Sequence, residues 1–197
     1  MTKSKEDMMR DFILNCCESL FTQQGYKNTS MDKIAEKCQI SKPTLYNYFP
    51  SKVSLFLGLF ARFQNEISEK GKLIMGQKKD KYQVIEEFID LSIEYMQEKR
   101  DFLRMMIREH HLVVNECEDI EEHINAEIRK RQETARELGE FMKYIVRPEI
   151  LEDFSVELIG MALTTLLEGA FWDSIKGEVN DHEKMKKLIM NLLKNGI

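Results

Sequence analysis

The residues with the most evident chemistry lie in one run, Gly25 to Lys52, GYKNTSMDKIAEKCQISKPTLYNYFPSK. Lys42, Thr44 and Asn47 are polar groups of the kind that read base edges: lysine bonds to guanine O6/N7, and asparagine pairs with adenine N6/N7. Pro43 and the Thr44 methyl suit a thymine methyl. Tyr46 and Tyr48 carry hydroxyls that can reach phosphate. A second constellation is Arg108-Glu109-His110-His111, with Cys117 and His123 further along. Its spacing fits no usual metal site, and adjacent histidines on a helix project about 100° apart. One of the pair could instead anchor a polar or carboxylate group of a ligand, or the cluster is a solvated helix face. Catalytic signatures are missing. The residues three before the histidines are Ile107, Arg108, Ile120 and Val179, so no Glu-x-x-His pair exists, nor is there a Gly-rich phosphate loop, a GxSxG elbow or HExxH. The chain reads as a non-enzyme with no cofactor.

Base-reading groups need a helix to carry them, and the local signals supply two. Ser30 is a good N-cap for a helix starting at Met31, in which Ile34 points inward and small Ala35 permits close crossing. Cys38, Gln39 and Ile40 make a tight turn. Ser41 caps a second short helix, Lys42 to about Tyr48, with Pro43 tolerated in its first turn. Phe49-Pro50 ends it, and Ser51 caps a long third helix that begins at Lys52. Two short capped helices joined by a turn of three to four residues make a helix-turn-helix. The helix starts at Ser30 and Ser51 also present backbone amides to phosphate.

The rest of the chain is helical in pattern. Proline occurs only at 43, 50 and 148, which permits long helices between. Apolar stripes recur at helical spacing: Phe56, Leu59, Phe60, Phe63 and Ile67; Ile85, Phe88, Ile89, Tyr95 and Met96; Ile120, Ile124, Ile128, Ala135, Leu138, Met142 and Ile145. Strand alternation is missing. Breaks fall at Gly25, Lys78 to Asp80, Arg100-Asp101, Asn115 to Asp119, Arg147-Pro148 and Gly177 to Asp181, giving an all-α chain of about nine helices. The segment Glu152 to Lys176 is apolar on two faces, one with Val156, Ile159, Leu163, Leu167 and Ala170, the other with Leu158, Met161, Thr165 and Trp172. Such a helix is buried on both sides. The last helix shows one face, with Met185, Leu188, Ile189 and Leu192.

Composition bounds the class. Of 197 residues, 43% are hydrophobic and 32% charged, with no run long enough to cross a bilayer and no secretory leader, so a cytoplasmic protein is expected. The four cysteines, Cys16, Cys17, Cys38 and Cys117, form no CxxC pair and read as reduced apolar filler. Net charge is −5, which alone argues against nucleic acid. Its distribution argues otherwise: residues 1 to 55 carry +2, leaving −7 on the remainder. A basic head on an acidic body can still bind phosphate.

At Thr29-Ser30, Ile34-Ala35, the run Ile40 to Phe49, and Ser51-Lys52, the sequence resembles the TetR-family DNA-binding signature. Arg10, Ile13, Leu14, Leu20, Phe21, Gly25 and Tyr26 match the family's first helix. Cys16 and Cys17 stand where the family has small alanines. The resemblance covers about 50 residues. It implies that Lys42, Pro43, Thr44 and Asn47 face base edges, that Ser30, Tyr46, Tyr48 and Lys52 hold the DNA backbone, and that Leu45 and Phe49 pack the head. Two positions depart from it. Gln39 replaces the usual turn glycine, where a left-handed residue with a side chain would cost roughly 1 kcal/mol. Pro43 replaces a small residue and stiffens the reading helix.

The resemblance further implies a DNA-binding domain over 1–52 and an effector-binding and dimerisation domain over 53–197, with a homodimer formed by the last two helices. A two-fold dimer places two reading helices about 34–36 Å apart, one turn of DNA. It also implies a small-molecule pocket, which twelve methionines and eleven phenylalanines would suit. Candidate lining residues are Phe63, Phe88, Tyr95, Met106, His110, Phe171 and Trp172. The expected function is a repressor released from a palindromic operator by a small lipophilic effector. The alternative is a ligand-binding helical dimer without specific DNA binding.

Overall fold

The structure is a computed structural model, and it describes residues 4–77, 79–117, 119–143, 145–176 and 182–195. Among them are ten helices and no strand. They are α1 (Lys5–Gln24), α2 (Met31–Cys38), α3 (Lys42–Tyr48), α4 (Lys52–Met75), α5 (Lys81–Glu98), α6 (Arg100–Glu116), α7 (Ile120–Met142), α8 (Pro148–Asp153), α9 (Val156–Lys176) and α10 (His182–Asn195). The tenth is the short α8. Pro148 starts it in the position that needs no amide donor, and its cap at Phe154 is extended backbone, so α9 begins anew at Val156. The expected single helix from Glu152 is therefore two. The break expected at Arg100-Asp101 falls one residue earlier, at Lys99. No helix among the described residues is long and apolar enough to cross a membrane.

Packing groups the chain into two units, Met1–Glu66 with Lys99–Glu118, and Ile67–Glu98 with Asp119–Ile197. The division at residue 52 expected above separates roles; packing adds the start of α4 and all of α6 to the N-terminal helices.

In the first unit, Ile13, Cys17 and Phe21 of α1, Ile34 of α2, Leu45 of α3, Leu55, Phe56 and Leu59 of α4, and Leu103 and Met105 of α6 are buried. Each large apolar side chain stabilises the unit by about 1.5–3 kcal/mol. Tyr26 is the hinge of this core. Its ring lies 5.4 Å from Phe21 and, edge on, 5.4 Å from Phe56. Its hydroxyl donates to Glu116 at 2.5 Å.

In the second unit, Ile85 and Ile89, Met142, Ile159 and Leu163, and Ile189, Met190 and Leu193 form one buried cluster from α5, α7, α9 and α10. The α7–α9 crossing is the tightest contact. A Cβ on Gly160 would stand 1.8 Å from the Ala135 carbonyl oxygen, and one on Gly139 would stand 2.1 Å from that of Val156. Only glycine permits this backbone approach. Lys186 of α10 reaches Asp90 at 2.7 Å and Glu86 at 3.2 Å on α5.

Candidate DNA-binding surface

The helix-turn-helix forms from the caps read in the sequence. The Ser30 hydroxyl accepts from Lys33 N at 3.3 Å and starts α2; the Ser41 hydroxyl accepts from Thr44 N at 3.2 Å and starts α3. Ser51 does the same for α4, accepting from Ser54 N at 3.0 Å. Between α2 and α3, Gln39 is left-handed (φ 55°, ψ 38°), and its amide donates to the Ala35 and Glu36 carbonyls. The glycine-type turn is thus kept with a side chain in place, at a cost of about 1 kcal/mol.

A helix of seven residues is not stable by itself. Leu45 and Phe49 bury one side of α3 in the head. Arg10 of α1 holds its end: one guanidinium nitrogen donates to the Tyr48 carbonyl at 2.9 Å, and the guanidinium lies 4.5 Å over the Phe49 ring. A cation at a helix C-terminus opposes the negative end of its dipole. The sequence reading had matched Arg10 only by type. Its partner lies 38 positions away, so no local spacing reveals it.

The opposite side of α3 is open. Lys42, Pro43, Tyr46 and Asn47 are exposed, and Thr44 and Tyr48 are half-buried. The Thr44 hydroxyl is engaged with that of Ser41 at 2.7 Å. Lys42 is paired with Asp32 of α2 at 2.5 Å. That hydrogen bond, and the charge behind it, hold the ammonium above its ordinary range. Lys52 is turned inward: it donates to the Tyr26 carbonyl at 3.1 Å and lies 4.0 Å over the Tyr26 ring. Ser30 is exposed, with its hydroxyl occupied as a cap. The surface therefore exposes Lys42, Pro43, Tyr46 and Asn47, with Thr44 half-buried among them and an acid beside the leading lysine.

The loop that leads into α2 is gripped by α6. Gly25 has a φ of 81°, and the Glu109 carboxylate approaches it so closely that a Cβ there would meet Oε1 at 2.6 Å. Glu109 Oε2 accepts from Lys27 N at 3.2 Å. Burial pushes the Glu109 carboxyl up, but hydrogen bonds from Arg108 and from the Lys27 and Tyr26 amides outweigh it and hold the group below its ordinary range. Burial, then the bond to Glu116, pushes the Tyr26 hydroxyl above its ordinary range.

The expected effector residues fall in both units. Phe63 and Met106 are buried in the first, where His110 and His111 are exposed; Tyr95 is buried in the second. Phe88 lines an apolar cavity of about 30 Å³ with Met75, Ile85, Leu138, Phe141 and Leu163. That volume holds a water or two, against the roughly 300–1,000 Å³ of ligand pockets. The side chains of Phe171, Trp172 and His123 lie outside the described residues. Among the described residues no three His, Cys, Asp or Glu side chains are placed to hold a metal ion.

Residues 13–59 match the family model described as bacterial regulatory proteins, tetR family. The HTH-type transcriptional regulator YuxN of Bacillus subtilis (strain 168) is 30% identical over 107 residues, 54% of this chain and 35% of that protein. The chain thus spans about a third of the length of that curated relative. A TetR-family transcriptional regulator from Syntrophomonas wolfei superposes with a TM-score of 0.70 at 19% identity, over 96% of this chain and 95% of its own. The Thermus thermophilus repressor FadR, solved with lauroyl-CoA, superposes with a TM-score of 0.63 at 20% identity, over 95% and 94%. At such identity these two likenesses speak to the fold.

Proposed function

We propose that the chain, whose residues 13–59 match the tetR family of bacterial regulatory proteins, is a ligand-responsive transcriptional regulator of that family that represses from a palindromic operator. The observation that carries this reading is the open face of α3. Lys42, Pro43 and Asn47 are exposed, with Thr44 half-buried beside them, on a helix whose other side is fixed by Leu45, Phe49 and Arg10. Side chains on so short a helix read bases only if the helix itself cannot turn.

A homodimer through α9 and α10 is supported by their outer faces. Leu158 and Met161 of α9 are about half exposed (49% and 50%), as are Leu188 and Leu192 of α10 (53% and 42%). The second apolar face of α9 thus lacks cover within one chain, and a second copy is its natural partner. The effector is lipophilic: the α5–α7–α9–α10 interior offers an apolar lining, and the structural neighbour FadR was solved with an acyl-CoA. The present cavity is too small for such a ligand, so binding has to open the bundle. The binding energy then selects a bundle state, and α4, continuous from Lys52 to Met75, carries that state toward the head. Such a regulator acts in the cytoplasm, where its DNA is.

The test is selection of duplexes from a random pool by the purified protein, repeated with Lys42→Ala and Tyr48→Phe. A palindromic consensus, relaxed at one position by Lys42→Ala and weakened uniformly by Tyr48→Phe, is the expected result. No enrichment, with equal weak binding by all three proteins, would leave a ligand-binding dimer without specific DNA binding as the better account.

A further inference from the structure

The DNA-binding head holds a chemistry that the regulator reading does not use. Cys16, Cys17 and Cys38 come together where α1 packs on the end of α2. The Cys16 thiol lies 4.0 Å from the carbonyl of Lys37, the residue before Cys38 at the end of α2, and is close enough to the Cys38 thiol to perturb it. Cys17 lies close enough to Cys38 to feel its charge, but is fully buried. Of the three, only Cys16 has solvent access. Cys16 and Cys17 are neighbours on one helix and project about 100° apart, so joining them would unwind α1. Cys16 and Cys38 face each other across a helix interface and need no unwinding.

We propose that Cys16 and Cys38 are a redox-sensitive pair, oxidised by a hydroperoxide to a disulfide that staples α1 to the end of α2. In the first step the Cys16 thiolate attacks the peroxide oxygen. The O–O bond breaks, Cys16 becomes a sulfenic acid, and water or an alcohol leaves. In the second step the Cys38 sulfur attacks the Cys16 sulfur. The S–S bond forms, the S–O bond breaks, and the hydroxyl leaves as water with the Cys38 proton. The two thiols together supply the two electrons that reduce the peroxide. Burial, then the neighbouring Cys16 thiol, pushes the Cys38 thiol up to about 12, so the more accessible Cys16 reacts first. Disulfides are transient in reducing compartments, so cellular thiols would reset the pair.

The staple changes the reading helix by a short route. A disulfide brings two sulfurs to about 2.05 Å, well inside thiol hydrogen-bond distance. Cys38 is therefore drawn toward α1. The residue after it is the left-handed Gln39, and Ser41, two further on, caps α3. A turn this tight passes the shift to α3. That consequence rests on α3 being the DNA-reading helix; the disulfide itself does not.

Full-length reduced protein is treated with hydrogen peroxide, and intact mass and cross-linked peptides are read beside Cys16→Ser, Cys17→Ser, Cys38→Ser and Cys117→Ser. Wild type, Cys17→Ser and Cys117→Ser are expected to lose two hydrogens per chain, reversibly with dithiothreitol, while Cys16→Ser and Cys38→Ser do not. Should the serine hydroxyl unfold the head, Cys38→Ala takes its place. Oxidised wild type is expected to bind the operator selected in reducing buffer about tenfold or more weakly, the scale of one lost base contact. Sulfinic acid on Cys16 beside a free Cys38 thiol, a link through Cys17 or Cys117, or no oxidation overturns the pair. A disulfide that leaves operator affinity unchanged overturns its effect on α3. A reduced protein that selects no operator sinks the regulator reading, while the mass result still decides the disulfide.

Discussion

Replacing Glu109 by alanine tests whether α6 braces the head. The carboxylate accepts from Lys27 N at 3.2 Å and from the Tyr26 amide, and it pairs with Arg108 at 2.8 Å. Hydrogen bonds to a charged group contribute about 1.5–3 kcal/mol each. Lys27 and Arg108 are exposed and regain water when the carboxylate is removed, whereas Tyr26 is buried. One charged bond, about 2 kcal/mol, is therefore the expected loss. In a chain of this length that lowers the melting temperature by about 4–8 °C. The sign with pH follows from the depressed pKa. The contribution is present above the unfolded carboxyl value, near 4.3, and is lost as pH falls through the lower folded value. Thermal melts followed by circular dichroism should show the full gap between wild type and Glu109→Ala near neutral pH, closing as pH falls below the ordinary carboxyl range. Glu109→Gln keeps the shape and one acceptor, so its melt should lie between the two and lack that acid dependence. A gap below about 2 °C at neutral pH, or one that persists unchanged in acid, refutes the brace.

Four further outcomes are expected. Gln39→Gly relieves about 1 kcal/mol of left-handed strain against about 0.4–1 kcal/mol of added chain freedom; urea unfolding should show a net gain of up to about 0.6 kcal/mol, and a loss would mean the side chain stabilises the turn. Gly160→Ala drives a methyl into the Ala135 carbonyl at the α7–α9 crossing; separation of the helices should cost about 3 kcal/mol or more, and an unchanged melt would show that the crossing is looser than described. Met161→Glu on the bare face of α9 should give a monomer of unchanged helix content by light scattering, and a persistent dimer would place the interface elsewhere. Arg10→Ala frees the end of α3 and should weaken operator binding severalfold, with Arg10→Lys recovering less than half because lysine lacks the planar fork; equal affinity for all three would leave Phe49 and Leu45 as sufficient.

The parts legible in the sequence are those set by neighbours along the chain. Ser30, Ser41 and Ser51 announce α2, α3 and α4 because capping joins residues two or three apart. The exposed positions of α3 follow from period alone. What the sequence hid depends on distant partners. Arg10 meets Tyr48, Glu109 meets Lys27, and Lys52 turns in to Tyr26 rather than out. Lys52 is instructive: its type suits phosphate, but a ring and a carbonyl at hand satisfy it inside the head. The start of α9 carries a local signal as well: the Ser155 hydroxyl accepts from Leu158 N at 3.2 Å, just after the extended backbone at Phe154 that separates α8 from α9. Each cysteine, taken singly, suits an apolar filler; only the α1–α2 contact brings Cys16 near Cys38.

Asp32 poses the sharper question about recognition, because on the proposed reading an acid beside the reading helix costs affinity for phosphate. Its carboxylate is 68% exposed and its lysine partner 52% exposed, so neither is sequestered and the pair is worth little to the fold. Its effect is on binding. A free Lys42 would meet any phosphate it reached, and each such contact adds sequence-independent affinity with a salt slope of about −0.9. Held by Asp32, Lys42 leaves its pair only for a partner that replaces the lost bond, and a guanine edge with two acceptors does that on the correct sequence. On the proposed reading Asp32 would therefore subtract from binding everywhere and be compensated at the operator, exchanging charge attraction for selectivity.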